Sequence, residues 1–331
     1  MSGTFGIFGL WVRCDCALPG IAAPAPGSHP DVQVVLDAWP ADAVHLPAEP
    51  WYVSSHRDER GRPVLTVHRS QDGRWFRWTY IDGMRFLIED ARTVWCCWPD
   101  TLSPQDALTY LLGPVMGFLL VQRGMVCLHG GAVEVDGGAV LLVGPAGSGK
   151  STTTAALSAR GIRVISEDIA ALQRAGQHVM VLPGPQEVRL WPASVRMLYG
   201  HEDALPALTP TWDKRVLDGR GGARFCDEPR PLKAIYLLDE RRPEPSRPRV
   251  EHIAGSQAML DLAGNVYGTL MRQPEHRADE FAMLARLCAQ VPIRSLRPHA
   301  DPSRLPDVCR YILDDVAAMP CIPAQTQVAC A

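Results

Sequence analysis

Residues 139–151 read AVLLVGPAGSGKS, and this stretch gives the clearest indication of the fold of the chain. Its last eight residues fit the pattern G-x-x-x-x-G-K-[ST] in full; they are Gly144, Pro145, Ala146, Gly147, Ser148, Gly149, Lys150 and Ser151. An apolar β-forming run precedes them and a Thr/Ala-rich run follows, which is the strand–loop–helix context that such a loop requires. Backbone N–H groups of the loop and the helix N-terminus then face phosphate oxygens. The stretch therefore predicts an α/β fold with a phosphate-binding loop.

The loop predicts roles for side chains as well as for the backbone. Lys150 is expected to reach the β- and γ-phosphates of a nucleotide, and Ser151 to ligate Mg²⁺. Thr152 follows in the helix and completes the predicted nucleotide-binding segment. ATP and Mg²⁺ are the cofactors that these residues imply. The sequence has no NKxD base-recognition motif, which disfavours a switch GTPase.

Two adjacent carboxylates, Glu167 and Asp168, follow the next apolar run, 17 and 18 residues beyond Lys150. Side by side on one strand they would point to opposite faces. One could then face a metal ion and the other an incoming hydroxyl, which is the division that phosphoryl transfer to an alcohol needs. An ordinary pair of acids at a strand end would have the same spacing, so the pair alone leaves both interpretations open.

Upstream, residues 1–124 are predicted to form a smaller β-rich N-terminal domain that ends in a helix. Its candidate strands are Phe5 to Arg13, Val32 to Leu36, Trp51 to Ser55, Pro63 to Arg69, Arg74 to Tyr80, Met84 to Glu89 and Thr93 to Trp98. Asp72-Gly73 and Asp82-Gly83 are hairpin signals that predict an antiparallel meander. Ser103 as an N-cap before Pro104 opens a helix that is expected to run to about Arg123.

Residues 125–318 alternate strands and helices and are predicted to form the catalytic domain, with a flexible tail over 319–331. The predicted strands are Val126 to Val135, Ala139 to Val143, Ile162 to Ser166, Ile169 to Leu172, Val179 to Leu182 and Leu232 to Leu238. The predicted helices are Lys150 to Arg160, Ser256 to Met271, His276 to Gln290 and Leu305 to Ala317. The Pro/Arg/Glu-rich segment 241–249 is expected to be a surface loop.

Composition excludes several classes of protein. The chain has 331 residues, of which 47% are hydrophobic and 21% charged, so it is long and apolar enough for two domains with cores. A net charge of −3 disfavours a basic surface for nucleic acid. The most apolar run, residues 108–121, is shorter than the roughly 20 residues of a membrane span. Ten cysteines at irregular spacing, and an N-terminus without a signal-peptide pattern, favour a cytoplasmic protein with reduced thiols.

Four segments together resemble the catalytic domain of the HPr serine kinase/phosphorylase family. They are Leu128-His129-Gly130-Gly131-Ala132-Val133, the loop 144–151, Glu167-Asp168 and Gln186-Glu187-Val188-Arg189. The resemblance covers residues 125–240 well and 240–317 loosely. It implies a P-loop kinase fold akin to phosphoenolpyruvate carboxykinase, ATP and Mg²⁺ as cofactors, a seryl hydroxyl as acceptor, and a chain that can assemble into homo-oligomers.

The resemblance also implies roles for single residues. Asp168 stands where the family has its general base, and His129 where it has its active-site histidine. Glu187 and Arg189 match the E-x-R of the family signature, so Glu187 would join Ser151 in the Mg²⁺ shell. Glu167 replaces the family's second aspartate, and Leu190-Trp191-Pro192 replaces its Gly-Leu-Gly, which puts the reverse, phosphate-removing reaction in doubt.

Basic residues upstream of the apolar strand 232–238 form a further candidate set. Lys214 and then Arg224 are expected to contact ATP phosphates or a phosphorylated product. Solvated surface charges are the equally ranked alternative.

The N-terminal half resembles a sub-group associated with lasso-peptide biosynthesis. The motifs are Phe8-Gly9-Leu10, Leu18-Pro19-Gly20 and Leu111-Leu112-Gly113-Pro114-Val115. This resemblance implies a kinase for the C-terminal serine of a precursor peptide. The net charge and the lack of an apolar run of membrane-spanning length predict no nucleic-acid or membrane partner. A kinase of HPr-type carrier proteins, and a nucleotide-binding regulator without transfer chemistry, are the alternatives.

Overall fold

A computed structural model describes residues 3–16, 18, 21, 29–40, 46–243, 249–268, 271 and 273–320. The fold is mixed α/β. Most of the predicted loop 21–30, part of the turn Leu18-Pro19-Gly20, and most of the predicted tail lie outside these residues. Within the described part of the chain, no helix is both long enough and apolar enough to cross a membrane.

The first sheet has eight strands, all from the first hundred residues. They are β1 (Gly3–Ile7), β2 (Leu10–Cys14), β3 (Val32–Leu36), β4 (Tyr52–Val53), β5 (Leu65–Arg69), β6 (Trp75–Tyr80), β7 (Arg85–Glu89) and β8 (Thr93–Cys97). The predicted meander is confirmed, because β4 to β8 pair antiparallel in chain order. Strand β3 then joins β8 and β2 in parallel.

The prediction of one strand over 5–13 was wrong. The chain reverses at Phe8 and Gly9, whose φ angles are +51° and +75°, and β1 and β2 pair as a hairpin. Two successive left-handed residues are what a tight two-residue hairpin turn demands. Because Phe8 is not a turn-forming residue, the alternating pattern hid the reversal.

Two short consecutive helices follow the first sheet. Helix α1 (Pro104–Tyr110) begins with the predicted cap at Ser103, which forms a reciprocal capping box with Asp106. A π-helical turn over Leu111–Val115, with non-helical angles at Gly113 before Pro114, separates α1 from α2 (Met116–Gln122). The single helix predicted to Arg123 is therefore interrupted, since proline supplies no N–H to the helical ladder.

The second sheet contains β9 (Val126–Val135), β10 (Gly138–Val143), β11 (Arg163–Ser166), β12 (Ile169–Ala175), β13 (His178–Val181), β16 (Arg230–Leu238), β17 (Arg249–Ile253) and β18 (Ile293–Arg297). Strand β16 pairs in parallel with β10 and β18 and lies centrally, as predicted. A separate two-stranded sheet is made by β14 (Glu187–Leu190) and β15 (Arg215–Asp218).

Helices cover both faces of the second sheet. On one face α3 (Lys150–Ser158) and α7 (Leu305–Ala317) bury Leu157 and Ile312 against the strands. On the other face α5 (Gly255–Ala263) and α6 (Arg277–Gln290) bury Leu262 and Leu287. Helix α4 (Pro192–Tyr199) packs beside β14.

Four strands and one helix were not predicted from the sequence: β14, β15, β17, β18 and α4. Helix α5 is shorter than the helix predicted over Ser256 to Met271. Helix α5 ends at Ala263 because the chain turns back to the sheet: Val266 bridges to Leu128, and the Tyr267 N–H donates to the Cys127 carbonyl at 2.8 Å. The missed strands are short, and short elements give weak periodic signals.

The division of the chain near residue 124 stays a prediction. The apolar core under the first sheet continues through α1 and α2 and includes Cys127, Ile169 and Leu182 of the second half. The two sheets therefore share buried surface across the predicted boundary.

The tight turn between β1 and β2 can be tested at Gly9. We expect Gly9→Ala to lower the free energy of unfolding by about 1–2 kcal/mol, because an L side chain is strained at positive φ. An added Cβ would also lie 3.3 Å from Leu182 Cδ1. Urea denaturation measures the change, and Gly219→Ala, which meets no atom closer than 4.0 Å, is the control. Equal stability of both variants would contradict the hairpin.

Candidate functional site

A cavity of about 650 Å³ opens where β10 runs into the N-terminus of α3. Its walls come from the phosphate-binding loop, from β9, from the bend between β11 and β12, from the β14–α4 connection, and from the segments around residues 214 and 241. The candidate residues that line it are His129, Ala146, Gly147, Gly149, Lys150, Ser151, Thr152, Glu167, Asp168, Arg189 and Lys214. The structure therefore brings most of the predicted residues to one place.

The loop has the conformation that its glycines allow. Gly149 caps α3 with φ +100°, and a Cβ there would collide with the guanidinium of Arg241. The Nζ of Lys150 donates to the carbonyls of Gly144 at 2.7 Å and Pro145 at 2.9 Å. Burial lowers the pKa of Lys150 below its usual 10.5, although the nearby acids oppose this. The loop thus holds the Lys150 side chain at the N-terminus of α3.

Two buried polar atoms at this point have no hydrogen-bond partner in the described structure, Ser148 Oγ and Arg241 Nε. Buried polar atoms are almost always hydrogen-bonded. Phosphate oxygens are acceptors that fit both donors, so the donor set suits a phosphate group.

The acid pair occupies a bend and not a strand. Strand β11 ends at Ser166 and β12 begins at Ile169, so both carboxylates lie in the connection between two strands and not on one strand. Asp168 has a φ angle of +68° in this connection. Aspartate tolerates the left-handed region better than most side chains. The bend directs both carboxylates into the cavity.

Glu167 lies against the loop. Its Oε1 accepts a hydrogen bond from Ser151 Oγ at 2.5 Å. Burial and the neighbouring charge of Asp168 raise the pKa of Glu167 to about 7, against the effect of the Ser151 hydroxyl. Two neighbouring acids of this kind favour a bound cation.

His129 contacts Asp168 twice. Its Nδ1 lies 3.2 Å from Asp168 Oδ1 and 3.2 Å from the Asp168 carbonyl oxygen. Both partners are acceptors, which assigns the proton to Nδ1. Burial lowers the pKa of His129 below 6.5, although the carboxylate of Asp168 acts in the opposite direction. A neutral His129 therefore orients Asp168.

The predicted E-x-R pair forms a largely buried ion pair beside the cavity. Glu187 Oε1 accepts from Arg189 Nε at 2.8 Å and from Nη2 at 2.7 Å. Arg189 lines the cavity, whereas Glu187 lies behind it with 7% of its surface exposed. The pair fixes the guanidinium next to the two acids.

The oxygens of Ser151, Glu167 and Glu187 are the ligand type that Mg²⁺ prefers. The first two lie within hydrogen-bond distance of each other, and burial and the charge of Asp168 raise the pKa of Glu167, an effect that a bound cation would oppose. Ser151 and Glu167 fit a divalent cation. Glu187 fits less directly, since one of its oxygens is engaged by Arg189.

Of the remaining candidate residues, Lys214 and Thr152 lie at the cavity and Arg224 does not. The Lys214 ammonium lies 5.2 Å from the ring centre of Trp191 at the cavity rim, and Thr152 Oγ1 is 2.9 Å from Ser194 Oγ. Arg224 is not brought to the site. Its carbonyl accepts from the Val164 N–H, and the residue lines a separate cavity at the other end of α3.

Sequence reasoning missed three residues at the site. Arg241, expected in a surface loop, lines the cavity because it follows β16, whose C-terminal end lies beside that of β10. Trp191 is 59% exposed at the rim. The ring of Tyr267 packs 6.1 Å from that of His129. The position of Arg241 just after an apolar central strand was a usable signal. Trp191 directly follows the E-x-R segment and its neighbour, which was a weaker signal, and Tyr267 gave none.

Comparisons with known proteins identify similar segments. No protein-family model matches the chain. An HPr kinase/phosphorylase of Lactobacillus delbrueckii subsp. bulgaricus is 38% identical over 88 residues, which are 26% of this chain and 27% of that protein. One from Caldanaerobacter subterraneus subsp. tengcongensis is 34% identical over 89 residues, 27% of this chain and 29% of that protein.

The chain thus spans less than a third of the length of these curated relatives. Among solved structures, the Hpr(Ser) kinase/phosphatase from Coxiella burnetii aligns with a TM-score of 0.31 and 14% identity, over 57% of this chain and 97% of that one. Over a quarter of its length the chain is therefore similar to HPr kinase/phosphorylase.

The raised pKa of Glu167 predicts a dependence of stability on pH. A carboxyl with a higher pKa in the folded state contributes stability below pH 4.5, and this contribution is lost as the pH rises through about 7. We expect Glu167→Gln to be more stable than the wild type at pH 8 and similar at pH 4.5. Urea denaturation at both values measures this. An equal difference between the two proteins at both pH values would contradict the shift.

Proposed function

We propose that this protein is an ATP-dependent kinase that transfers the γ-phosphate to a seryl hydroxyl of a peptide or protein. One observation carries the proposal: a single cavity holds a phosphate-binding loop with Lys150 and Ser151, and opposite it a carboxylate, Asp168, held by His129. A phosphate site beside a positioned base is the arrangement that phosphoryl transfer to an alcohol uses. The similarity to HPr kinase/phosphorylase supports the same reaction class.

Asp168 is the proposed general base. As the seryl oxygen bonds to the γ-phosphorus, the bond to the departing ADP oxygen breaks, and the seryl proton passes to a carboxylate oxygen of Asp168. His129 holds that carboxylate through Nδ1 and so fixes its direction. The side chain of Asp168 is 38% exposed, which leaves it open to an acceptor entering the cavity.

Cations are proposed to balance the charge on the phosphates. Lys150 extends from the loop, and Lys214 and Arg241 line the same cavity. Ser151 and Glu167, with Glu187 behind them, would hold Mg²⁺, which when bound neutralises phosphate charge. Preorganised charge of this kind supplies most of the rate enhancement expected for such a reaction.

For the acceptor, we propose the C-terminal serine of a lasso-peptide precursor. What supports it is the set of N-terminal motifs, which differ from those of HPr kinases. An HPr-type carrier protein is the alternative acceptor, and the names of the two curated relatives support that alternative equally well. A cytoplasmic, homo-oligomeric enzyme with a β-rich N-terminal domain completes the proposal.

Asp168→Asn tests the base. We expect transfer of phosphate from radiolabelled ATP to the acceptor to fall by a factor of about 10²–10⁴, because the amide cannot take the proton. MgATP binding, measured by calorimetry, should change by less than about fivefold, since the loop is intact. Asp136→Asn, in the β9–β10 turn, is the control. Undiminished transfer by Asp168→Asn would remove Asp168 from the mechanism.

Lys150→Met tests the phosphate site. We expect MgATP affinity to fall by roughly tenfold or more, because the ammonium is the cation fixed within the loop itself. The matched control is Lys233→Met, since Lys233 lies at the opposite end of the sheet and pairs with Asp136. Equal affinities in Lys150→Met and the wild type would contradict the assignment of this loop.

Two acceptors distinguish the alternatives. A synthetic precursor peptide ending in serine and a purified HPr protein are incubated separately with MgATP and the enzyme, and mass spectrometry measures the added phosphate. The lasso-peptide assignment predicts phosphorylation of the peptide at its last residue and none of HPr. The opposite result would select the carrier-protein alternative.

A further inference from the structure

Strand β14 carries Arg189 to the cavity, and the segment before β15, the strand that pairs with it, carries Lys214. Both parts of the chain contact helix α1. Helix α1 belongs to the segment that follows the first sheet and shares its apolar core. Three separate contacts join these parts, and each one involves a different residue of α1.

The first contact joins Arg189 to the carbonyl of Thr109. Arg189 Nη1 donates to this oxygen at 3.3 Å. In the register of the π-helical turn the N–H of residue 114 would be directed to the same carbonyl, and Pro114 has no N–H. The guanidinium, already paired with Glu187, thus caps a carbonyl at the point where proline interrupts the helix.

The second contact joins Asp106 to Thr211. Asp106 is completely buried and accepts from the backbone N–H and the hydroxyl of Ser103 and from the hydroxyl of Thr211. Burial raises the pKa of Asp106, but these hydrogen bonds outweigh it and hold the pKa below the usual 3.8. A buried carboxylate therefore anchors the segment that ends, three residues later, at Lys214.

The third contact joins Tyr110 to Trp212. The rings pack edge to face with centres 5.4 Å apart. Tyr110 is fixed in turn by the first sheet, since its hydroxyl donates to Asp82 Oδ2 at 2.7 Å and its ring lies 4.2 Å from that of Tyr80. The contact thus connects the β6–β7 turn to the Lys214 segment.

From these contacts we infer that α1, braced by the first sheet, is a positioning element of the active site. Asp106 and Tyr110 fix the segment 208–216 so that Lys214 stays at the cavity rim, and the Thr109 carbonyl fixes Arg189 beside the acids. This inference deepens the proposed function and rests on it for the role of Lys214. It gives the N-terminal part of the chain a task inside the catalytic site.

Hydrogen exchange with Thr211→Val tests the structural half of this inference without any substrate. Valine keeps the shape of threonine and removes the hydrogen bond to Asp106. The N–H groups of Leu208, Trp212 and Val216, which donate to Lys214, Thr209 and Pro206 respectively, should exchange about tenfold faster or more. Tyr110→Phe should have the same direction of effect.

Tyr236→Phe is the matched control. It also removes a hydrogen bond between a tyrosine and an aspartate, Tyr236 to Asp315, but between β16 and α7. Exchange over 208–216 should be unchanged in this variant. Unchanged exchange in Thr211→Val and Tyr110→Phe, or an equal acceleration in Tyr236→Phe, would overturn the inference.

A double-mutant cycle tests the functional half. Thr211→Val should weaken MgATP binding by about tenfold, and it should have no further effect in the Lys214→Ala background, because it acts through Lys214. Additive losses would overturn the inference, since they indicate a general loss of stability. A wild-type chain that fails to bind MgATP would contradict the proposed function itself, and the exchange measurement alone would then decide the positioning role.

Discussion

The register of strand β9 is the constraint on which the site depends. On one edge Gly130 lies opposite Val143, the last residue of β10 before the phosphate-binding loop. On the other edge His129 lies opposite Ile169, the first residue after Asp168. Two neighbouring residues of one strand therefore bring the loop, the histidine and the acid pair together. A shift by one residue would turn His129 to the other face of the sheet.

The glycines of β9 serve this arrangement. A Cβ at Gly130 would lie 2.5 Å from the Leu142 carbonyl oxygen, and one at Gly131 would collide with the Thr154 hydroxyl of α3. Only glycine lets β10 and α3 approach so closely. The His-Gly-Gly segment thus combines a candidate functional side chain, His129, with two positions that side chains must leave free. Close packing also buries the charged groups of the site. Burial and the neighbouring charge of Asp168 raise the pKa of Glu167, and burial lowers the pKa of Lys150.

The grouping of the candidate residues around one cavity was more predictable from the sequence than the fold around them. A motif such as 144–151 works through backbone geometry that its glycines specify locally, so residues and chemistry can be inferred together. The meander was predictable for the same reason, since Asp72-Gly73 and Asp82-Gly83 specify their turns. Long-range strand pairing fixes other features, which a local sequence pattern does not indicate. These are the reversal at Phe8 and Gly9, the bend at Asp168, and the short strands β14 and β15. Arg224 and Arg241 illustrate the same limit, because tertiary packing decides which arginine faces the cavity.

The proposed reaction is the transfer of a phosphoryl group from ATP in the cavity to a seryl hydroxyl. Phosphorus-31 NMR of MgATP with the wild-type chain and a serine-containing acceptor follows this transfer, because every phosphate species is seen at once. We expect the ATP signals to decline while ADP and a phosphoserine monoester grow in equal amounts. Growth of inorganic phosphate without the monoester, or an unchanged ATP spectrum, would contradict it.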